Sequence, residues 1–357
     1  MKILLLIDSL GAGGAQRQLV GLAVMLKKRG YDVIVATYHD NRFYVDTILD
    51  AGVPYVYLKE AHNMCKRIWA VAKYIRKIKP HYVISYLETP SIVASVAHIF
   101  NHKFKLIVSE RNTTQKIGIN EKIRFRLFRF ADNIVPNAYT QAAFIAKNFP
   151  KLTNKTMTIA NFVDTDYFCP IKHKRREIPK IVIAASIWLP KNTLGFIDAV
   201  KRLKDMGLRF HISWYGKTTS NIDYYNECID KIKHLDVSDC IELLEKTKQI
   251  KNRYQEADFF ILPSFYEGTS NVICEAMACG LPVACSNVCD NPIYVKNGVN
   301  GVLFDPHSAE SMATAIATLL TIDDITYVAY CKNSRSLSEE KLSKEKFIES
   351  YIKLLKP

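Results

Sequence analysis

Apolar and polar residues alternate along this chain in two periods. Short apolar runs such as "KILLLID", "YDVIVATY", "PYVYL", "HYVISYL", "KLIVSE" and "NIVPN" are typical of buried strands, whereas "AQRQLVGLAVMLKKRG" and "NMCKRIWAVAKYIRKIK" carry apolar residues at helical spacing. The second half repeats this order with "KIVIAAS", "FHISWYG", "IELLE", "DFFILPS", "PVACS" and "GVLFD". Strands that alternate with helices predict an α/β fold with mostly parallel, doubly wound sheets.

One polar stretch interrupts this order, "CPIKHKRREIPK" at residues 169–180. Since 357 residues suggest about two domains, we interpret the stretch as the linker between them. The predicted organisation is a Rossmann-like domain at 1–168, the linker, a second Rossmann-like domain at 181–340, and a C-terminal helix at 341–357 that packs back on the first domain. The two domains would face each other across a cleft, with ligands at the carboxyl ends of the strands.

Charge is divided unevenly between the halves. Residues 1–165 hold 24 Lys and Arg against 11 Asp and Glu, a net charge of +13. The remainder holds 25 against 24, a net charge of +1. This excess predicts an anionic partner for the first half, and nucleic acid, a membrane surface or a phosphorylated substrate would each satisfy it.

Composition narrows the class of protein. The chain is 48% hydrophobic and 24% charged, as is usual for a soluble globular protein. No apolar run in the sequence reaches the roughly 18 residues that span a bilayer, and "MKILLLIDSL" predicts a buried strand and not a signal peptide. We therefore expect a cytosolic protein with reduced thiols. The spacing of Cys274, Cys279, Cys285 and Cys289 fits no zinc-ligand pattern, so no metal site is predicted.

A glycine-rich turn follows the first strand. In "DSLGAGGAQRQL", Gly13 and Gly14 would present backbone N–H groups and the positive end of a helix dipole to a phosphate. The order is not a complete G-x-G-x-x-G, and such a turn also serves tight packing. A dinucleotide site also needs an acidic residue near the end of the second strand. Asp40 lies in this region but does not clearly match that position. Both features count against a nicotinamide-dependent oxidoreductase.

Two glutamates stand eight positions apart in "EGTSNVICEAMACGLPV", residues 267–283. The segment predicts a loop and a helix that ends near Gly280, with Glu267 in the loop and Glu275 in the helix. Upstream, Lys191 follows another strand close to a helix start, where a cation would neutralise a diphosphate. Taken singly, each of these residues also fits a solvated surface position.

Six segments together are more specific than any one of them alone. They are "GAGGAQR", "IANFVDTDYFCP", "ASIWLPKN", "ADFFILPS", "EGTSNVICEAMACGLPV" and "NGVNGVLFD". Over nearly the whole chain they resemble glycosyltransferase family 4. The most specific element is the E-x7-E pattern from Glu267 to Glu275. The resemblance implies the GT-B fold, in which the first Rossmann-like domain serves the acceptor and the second serves the donor.

The resemblance also implies a retaining reaction on a nucleotide-sugar donor, with no cofactor and no metal ion. It implies that Glu275 binds the ribose hydroxyls, that Lys191 binds the diphosphate, and that Glu267 contacts the donor sugar and stabilises positive charge at its anomeric carbon. Lys191 and Glu267 are thus the implied catalytic residues. The implied donor-binding residues are Gly13, Gly14, Ser186, Lys191, Gly268, Thr269, Ser270, Asn271 and Glu275.

This chain departs from the family pattern at two positions. Ser186 stands where relatives have an arginine that partners the lysine, so another basic residue would have to compensate on the leaving group. Ile293 stands where many relatives have a glutamate, which leaves the donor sugar open.

The acceptor side has two interpretations. In "LIVSERNTTQ", Glu110, Arg111 and Asn112 follow a strand and face the predicted cleft, where they would contact the acceptor or the donor sugar. An internal Glu–Arg ion pair that fixes the loop is an equal alternative.

Two basic stretches, "EKIRFRLFRFADN" and "CKRIWAVAKYIRKIK", mix cationic and apolar residues at helical spacing. Such helices lie on anionic membranes or pack as outer helices of a Rossmann domain. Outer helices are the favoured interpretation for either stretch alone. The +13 charge of the first half shifts the balance toward a membrane-borne acceptor.

The combined prediction is a retaining glycosyltransferase that moves a hexose or N-acetylhexosamine to a lipid-linked or growing surface glycan, such as capsule, lipopolysaccharide or exopolysaccharide. UDP is favoured over GDP on its frequency in the family. The enzyme would be cytoplasmic and peripheral on the inner face of a bacterial membrane, with an anionic membrane surface as a partner. A nucleotide-sugar 2-epimerase-like GT-B enzyme stays open. A nucleic-acid-binding protein or an oxidoreductase is weaker, since no nucleic-acid module is recognised.

Overall fold

Two compact α/β units make up the protein. Unit 1 comprises Met1–Asn161 and Glu345–Pro357, and unit 2 comprises Phe162–Lys344. The computed structural model describes residues 1–59, 63–172, 174–217 and 221–355.

The described part of unit 1 contains a six-stranded parallel sheet. Its strands are β1 (Lys2–Leu6), β2 (Asp32–Thr37), β3 (Tyr55–Tyr57), β4 (Tyr82–Tyr86), β5 (Lys105–Glu110) and β6 (Asn133–Pro136). The strand order is β3-β2-β1-β4-β5-β6, so Ile3 lies opposite both Val33 and Tyr82. Inner strands of a parallel sheet are buried on both faces, which explains why β1 and β4 are mostly apolar.

Helices connect these strands, as the alternating pattern predicts. They are α1 (Gly14–Lys28), α2 (Val45–Asp50), α3 (Met64–Ile78), α4 (Glu88–Ile99), α5 (Ile119–Phe128) and α6 (Tyr139–Asn148). Helix α3 begins after Asn63, whose side chain accepts the backbone N–H of Lys66 at 3.0 Å. It ends at Ile78 and is followed by Lys79, which adopts the left-handed conformation with φ of 46°.

One of the two basic stretches packs into the core of unit 1. Phe125 and Phe128 of α5 are fully buried, and the Phe125 ring stacks on that of Phe149 at 4.4 Å between centroids. This contact favours an outer helix of the domain for α5, although Ile119 and Ile123 on its other side are exposed.

The described part of unit 2 contains a second six-stranded parallel sheet, in the order β12-β11-β10-β7-β8-β9. The strands are β7 (Lys180–Ala184), β8 (His211–Gly216), β9 (Ile241–Glu245), β10 (Phe259–Leu262), β11 (Val283–Ser286) and β12 (Gly301–Phe304). The helices are α7 (Thr193–Asp205), α8 (Ile222–His234), α9 (Ile250–Glu256), α10 (Asn271–Ala278), α11 (Asn291–Tyr294), α12 (Ala309–Leu320) and α13 (Asp324–Leu342). A further helix, α14 (Lys344–Leu354), begins at the boundary of the units.

Gly216, the last residue of β8, permits a close approach between neighbouring segments at the carboxyl edge of this sheet. A Cβ atom at Gly216 would lie 2.1 Å from the carbonyl oxygen of Ala185, well inside van der Waals contact. Any side chain here would push the segment after β7 away, and that segment carries Ser186 and Lys191.

The boundary between unit 1 and unit 2 lies between Asn161 and Phe162, before the predicted domain end at 168. Val163 is held in unit 2, where its backbone N–H donates to the carbonyl oxygen of Leu342 at 2.9 Å. The predicted linker, 169–180, also belongs to unit 2. There Arg176 contacts Asp258 at 3.3 Å; His173 of this segment lies outside the described residues.

The second change of unit, at Lys344 and Glu345, falls within the chain end that the sequence assigns to a C-terminal helix at 341–357. From Glu345 onward the chain belongs to unit 1, where the hydroxyls of Tyr351 and Tyr86 lie 2.8 Å apart. Residues 356–357 lie outside the described residues.

Within the described ranges, no single helix is long and apolar enough to cross a bilayer. The pair Ala309–Leu320 and Asp324–Leu354 meets the length and composition requirement only as a bent pair. The apolar face of the first of these helices, α12, is buried in the core of unit 2.

Candidate active site

The candidate site lies at the carboxyl edge of the unit 2 sheet. Strands β7 and β10 are parallel neighbours, with Phe259 opposite Ile181. The segments that follow these two strands therefore leave the sheet side by side. This adjacency brings Lys191, which follows β7, to Glu267, which follows β10.

Lys191 and Glu267 form a partly buried ion pair. The Nζ atom of Lys191 lies 2.5 Å from Oε1 of Glu267, and the side chains are 23% and 12% exposed. The two segments are also joined through the backbone, because the N–H of Phe265 donates to the carbonyl oxygen of Pro190 at 3.0 Å. An anionic ligand at this edge would compete with Glu267 for the ammonium group.

Asn192 holds the turn that carries Lys191. It adopts the left-handed conformation with φ of 57°, and its Nδ2 donates to the carbonyl oxygen of Pro306 at 2.7 Å. No local sequence signal marks Asn192, because its partner lies 114 positions away in the chain.

Glu275 is buried in α10 and is only 3% exposed. Its Oε2 accepts a hydrogen bond at 3.1 Å from the hydroxyl of Tyr254, a fully buried residue of α9. A buried carboxylate is costly unless hydrogen-bonded, so this donor helps to hold Glu275 in place. No local sequence signal marks Tyr254 as a site residue, since its position in the helix fits an ordinary buried residue.

The loop between the two glutamates runs into the N-terminus of α10. Thr269 and Ser270 are buried, and the hydroxyl of Thr269 lies 3.3 Å from that of Tyr294. Ser270 precedes the helix, but among the described contacts its side chain does not cap the helix. The N-terminus of α10, which begins at Asn271, lies at this edge, and the positive end of a helix dipole favours an anion.

Ser186 is half-buried in the segment after β7, at the position where the family resemblance predicts a cation. Its neighbour Ile187 donates its backbone N–H to the carbonyl oxygen of Lys217 at 3.4 Å. Lys217 follows β8, the other neighbour of β7, and is exposed. The strand order thus brings a basic residue next to this segment, and no local sequence pattern marks it.

In unit 1, the glycine-rich turn follows β1 as predicted. Gly13 precedes α1 and Gly14 begins it. The carboxylate of Asp8 accepts the backbone N–H of Ser9 at 2.6 Å and Nε2 of Gln16 at 3.3 Å, which ties the turn to the end of the strand. The donor-binding role of Gly13 and Gly14 stays a prediction.

Glu110 ends β5 and is 2% exposed. Its Oε2 accepts Nε2 of Gln141 at 3.1 Å and lies 3.6 Å from Nη2 of Arg124. Its Oε1 has no hydrogen-bond partner in the described part of the chain. Burial raises the pKa of this carboxyl from 4.5 to about 7.

Arg111 is buried beside Glu110 but is engaged by other residues. Its guanidinium lies 4.0 Å from the ring centroid of Tyr86, and it donates to Asn161 at 3.0 Å and to the hydroxyl of Tyr351 at 2.6 Å. The internal ion pair considered from the sequence thus joins Glu110 to Arg124, not to Arg111. Asn112 is exposed, and an acceptor role for these three residues stays a prediction.

The cysteines are free thiols. Cys274, Cys279 and Cys285 are buried, and burial raises the pKa of Cys279 to about 12. In the ranges that the structure describes, no three His, Cys, Asp or Glu side chains are arranged to hold a metal ion.

Comparison with known proteins identifies the family. Residues 12–167 match the family model for Glycosyltransferase Family 4, and residues 178–322 match that for Glycosyl transferases group 1. The chain belongs to glycosyltransferase family 4. The family resemblance predicted from the sequence is confirmed.

Among the relatives of this family 4 chain is an uncharacterized glycosyltransferase of Haemophilus influenzae, 24% identical over 96% of each chain. Another is a Campylobacter jejuni N-acetylgalactosaminyltransferase, whose name gives a PP-undecaprenol glycan as its acceptor, 25% identical over 86% of this chain and 83% of that one. Among solved structures, Anabaena HepE in complex with UDP has a TM-score of 0.86 at 18% identity over 99% of each chain. The predicted GT-B fold is therefore confirmed.

Proposed function

We propose that this family 4 glycosyltransferase is a retaining enzyme that transfers a hexose or N-acetylhexosamine from a UDP-sugar to a lipid-linked or growing surface glycan. The observation that carries the proposal is the arrangement of Lys191, Glu267 and Glu275 at the carboxyl edge of one parallel sheet, where open α/β sheets bind ligands.

The nucleotide is proposed to lie against the N-terminus of α10. Glu275 accepts hydrogen bonds from the ribose hydroxyls, while Tyr254 orients its carboxylate. The diphosphate lies against the N–H groups at the start of the helix, whose dipole favours anions. The proposed diphosphate contacts are Gly268, Thr269, Ser270 and Asn271, with Ser186 and Lys217 on the neighbouring segments.

In the proposed reaction, the bond between the anomeric carbon and the diphosphate oxygen breaks. The acceptor oxygen forms its bond on the same face of the sugar, and its proton passes to the departing diphosphate. Lys191 stabilises the charge on the leaving group, and Glu267 stabilises positive charge at the anomeric carbon. Lys191 and the helix N–H groups supply the positive charge for a metal-independent reaction.

Two relatives support the choice of donor and acceptor. HepE was solved with UDP, and the Campylobacter jejuni relative is named for an acceptor on PP-undecaprenol. The net charge of +13 on residues 1–165 suits an acceptor that carries a diphosphate. We further propose that the enzyme works in the cytoplasm at the inner face of the cell membrane, with exposed Asn112 as an acceptor contact.

Calorimetry with UDP and with GDP, without added metal, tests this proposal. UDP is expected to bind, and Glu275→Ala is expected to weaken binding at least about tenfold, because charged hydrogen bonds to two hydroxyls are lost. Glu256→Ala, which removes an exposed carboxylate at the end of α9, is the matched control and should bind UDP normally. If neither nucleotide binds, or if Glu275→Ala binds UDP equally well, the proposal is wrong.

A further inference from the structure

The outward side of α3 carries an exposed tryptophan among cations. Trp69 is 53% exposed, and the ammonium group of Lys73 lies 4.5 Å from its ring centroid. Lys66, Arg76 and Lys77 are exposed on the same side. The sequence of α3, "MCKRIWAVAKYIRKI", contains five basic residues and no acidic one. We call this set, Lys66, Trp69, Lys73, Arg76 and Lys77, the α3 face.

A groove of about 340 Å³ lies between α3 and β3, the edge strand of the sheet. Its walls include three lysines, Lys59, Lys73 and Lys77, and two tyrosines, Tyr57 and Tyr74. Two of the lysines also belong to the α3 face, so the groove and the face are continuous. We call this space the lysine groove.

The charges of the lysine groove are not compensated by the described protein. No described carboxylate lies within ion-pair distance of Lys59, Lys73 or Lys77, whereas Lys105, Lys204 and Lys231 elsewhere in the chain each pair with an aspartate. Three ammonium groups that line one concave space repel one another and favour an anion between them. The groove has room for a phosphate group and its substituents.

Protection of the sheet edge accounts for only part of this arrangement. Lysines next to an edge strand discourage pairing with another chain, which would explain Lys59. It does not explain why a large aromatic ring is exposed on α3 among lysines. Tryptophan favours the boundary between water and hydrocarbon, and basic residues beside it attract anionic headgroups.

We propose that the α3 face and the lysine groove form one site for the phosphate groups of anionic lipids at a membrane surface. Trp69 enters the headgroup layer, and the groove lysines bind lipid phosphate. The inference rests on the proposed function in one respect, since a lipid-linked acceptor would require the enzyme at a bilayer. It names the surface that makes the contact, which neither the fold nor the family assigns.

Vesicle flotation tests this site with the full chain. Vesicles of phosphatidylcholine alone are compared with vesicles of equal parts phosphatidylcholine and phosphatidylglycerol. The protein is expected to float with the anionic vesicles only, and less so as salt is raised. The triple variant Lys59→Gln, Lys73→Gln, Lys77→Gln should weaken binding by about a hundredfold, as expected for three basic residues at an anionic surface. Trp69→Ser should weaken it by about tenfold.

Matched control variants distinguish vesicle binding through this site from binding through the overall positive charge of the protein. Lys103→Gln, Lys147→Gln, Lys151→Gln removes the same charge from exposed positions of unit 1, and Phe100→Ser removes another exposed aromatic ring. Both should float as the wild type does. If they lose binding as the α3 variants do, diffuse charge is responsible and the proposal is overturned. Inorganic phosphate, added at a concentration below that of the vesicle lipid, should not reduce the fraction of protein that floats. If it displaces the protein from the vesicles, the site binds free phosphate and the proposal of a lipid ligand is overturned.

UDP calorimetry on the same samples distinguishes the two proposals and confirms that each variant is folded. All of the variants are expected to bind UDP as the wild type does, because none lies in unit 2. A protein that binds UDP but does not float would overturn this inference alone. A protein that floats through the α3 face but does not bind UDP would overturn the proposed function and leave the lipid site standing.

Discussion

The ammonium group of Lys191 lies 2.5 Å from the carboxylate of Glu267, although 76 positions separate the two residues in the chain. The pair exists because β7 and β10 are parallel neighbours, so the segments that follow them meet at one edge of the sheet. Each charge is partly desolvated by burial and is compensated by the other. Removing one of them leaves a partly buried, uncompensated charge.

Replacing Lys191 tests its proposed role on the leaving group. Lys191→Met is expected to lower the rate of UDP-sugar hydrolysis or transfer by about 10²–10³, the usual effect of removing one preorganised electrostatic contact. UDP affinity should fall as well, because the diphosphate carries the charge. Lys201→Met, which removes an exposed lysine of α7 paired with Asp205, should leave both quantities unchanged. Normal turnover in Lys191→Met would contradict the role.

Glu267 is predicted to act on the sugar and not on the nucleotide. Glu267→Gln should therefore bind UDP with nearly wild-type affinity while turnover falls by about 10² or more. Calorimetry with UDP and product release from the UDP-sugar measure the two effects separately. Equal losses of UDP binding and turnover would instead mean that Glu267 acts only by holding Lys191.

Tyr254 is predicted to support Glu275 from behind. Tyr254→Phe removes one hydrogen bond to a buried carboxylate while keeping the ring in the core. We expect a loss of about 1–3 kcal/mol in the free energy of unfolding and a severalfold weaker UDP affinity. Urea denaturation and UDP calorimetry measure the two effects. Tyr167→Phe, at an exposed tyrosine of unit 2, is the control, and an effect of the same size there would refute a special role for Tyr254.

The buried carboxyl group of Glu110 is predicted to make the free energy of unfolding depend on pH. Burial raises the pKa of its carboxyl from 4.5 to about 7, so the folded state holds the proton more tightly than the unfolded state does. The free energy of unfolding should therefore fall as pH rises through this range, by up to about 3 kcal/mol. The facing charged groups are Arg124, which lowers the pKa, and Glu88, which raises it.

Glu110→Gln should abolish this part of the pH dependence, because glutamine cannot lose a proton. Urea midpoints measured at about pH 5 and about pH 8 should differ less in the variant than in the wild type. Glu121→Gln provides the comparison, since the pKa of exposed Glu121 is lowered and its carboxylate stays charged throughout this range. An unchanged slope in Glu110→Gln would show that another group titrates.

The C-terminal helix is predicted to depend on one hydroxyl group. The hydroxyl of Tyr351 accepts a hydrogen bond from Arg111 and lies 2.8 Å from the hydroxyl of Tyr86. Tyr351→Phe leaves both partners without it, so we expect a loss of about 1–3 kcal/mol in the free energy of unfolding. Tyr139→Phe, at an exposed position of α6, is the control for the urea measurement. Equal midpoints in wild type and Tyr351→Phe would contradict the prediction.

Much of the secondary structure could be predicted from local pattern. The stretch "NMCKRIWAVAKYIRKIK" at 63–79 becomes α3, Met64–Ile78, and "IELLE" becomes β9 without change. Period and capping residues act over a few neighbours, so these signals are present in the sequence itself. The unit boundaries were harder to predict, because Phe162 and Val163 join unit 2 through contacts with residues far along the chain, such as Leu342.

The sequence by itself determined which elements form and that two glutamates, Glu267 and Glu275, flank one short loop and helix start, because both depend on residues that are close together in the chain. The tertiary structure decided which side chains meet: Lys191 with Glu267, Tyr254 with Glu275, and Glu110 with Arg124. It also decided that Glu110 and Arg111 are buried while Asn112 is exposed. These outcomes depend on strand order and on packing between distant segments, and local periodicity carries no information about either.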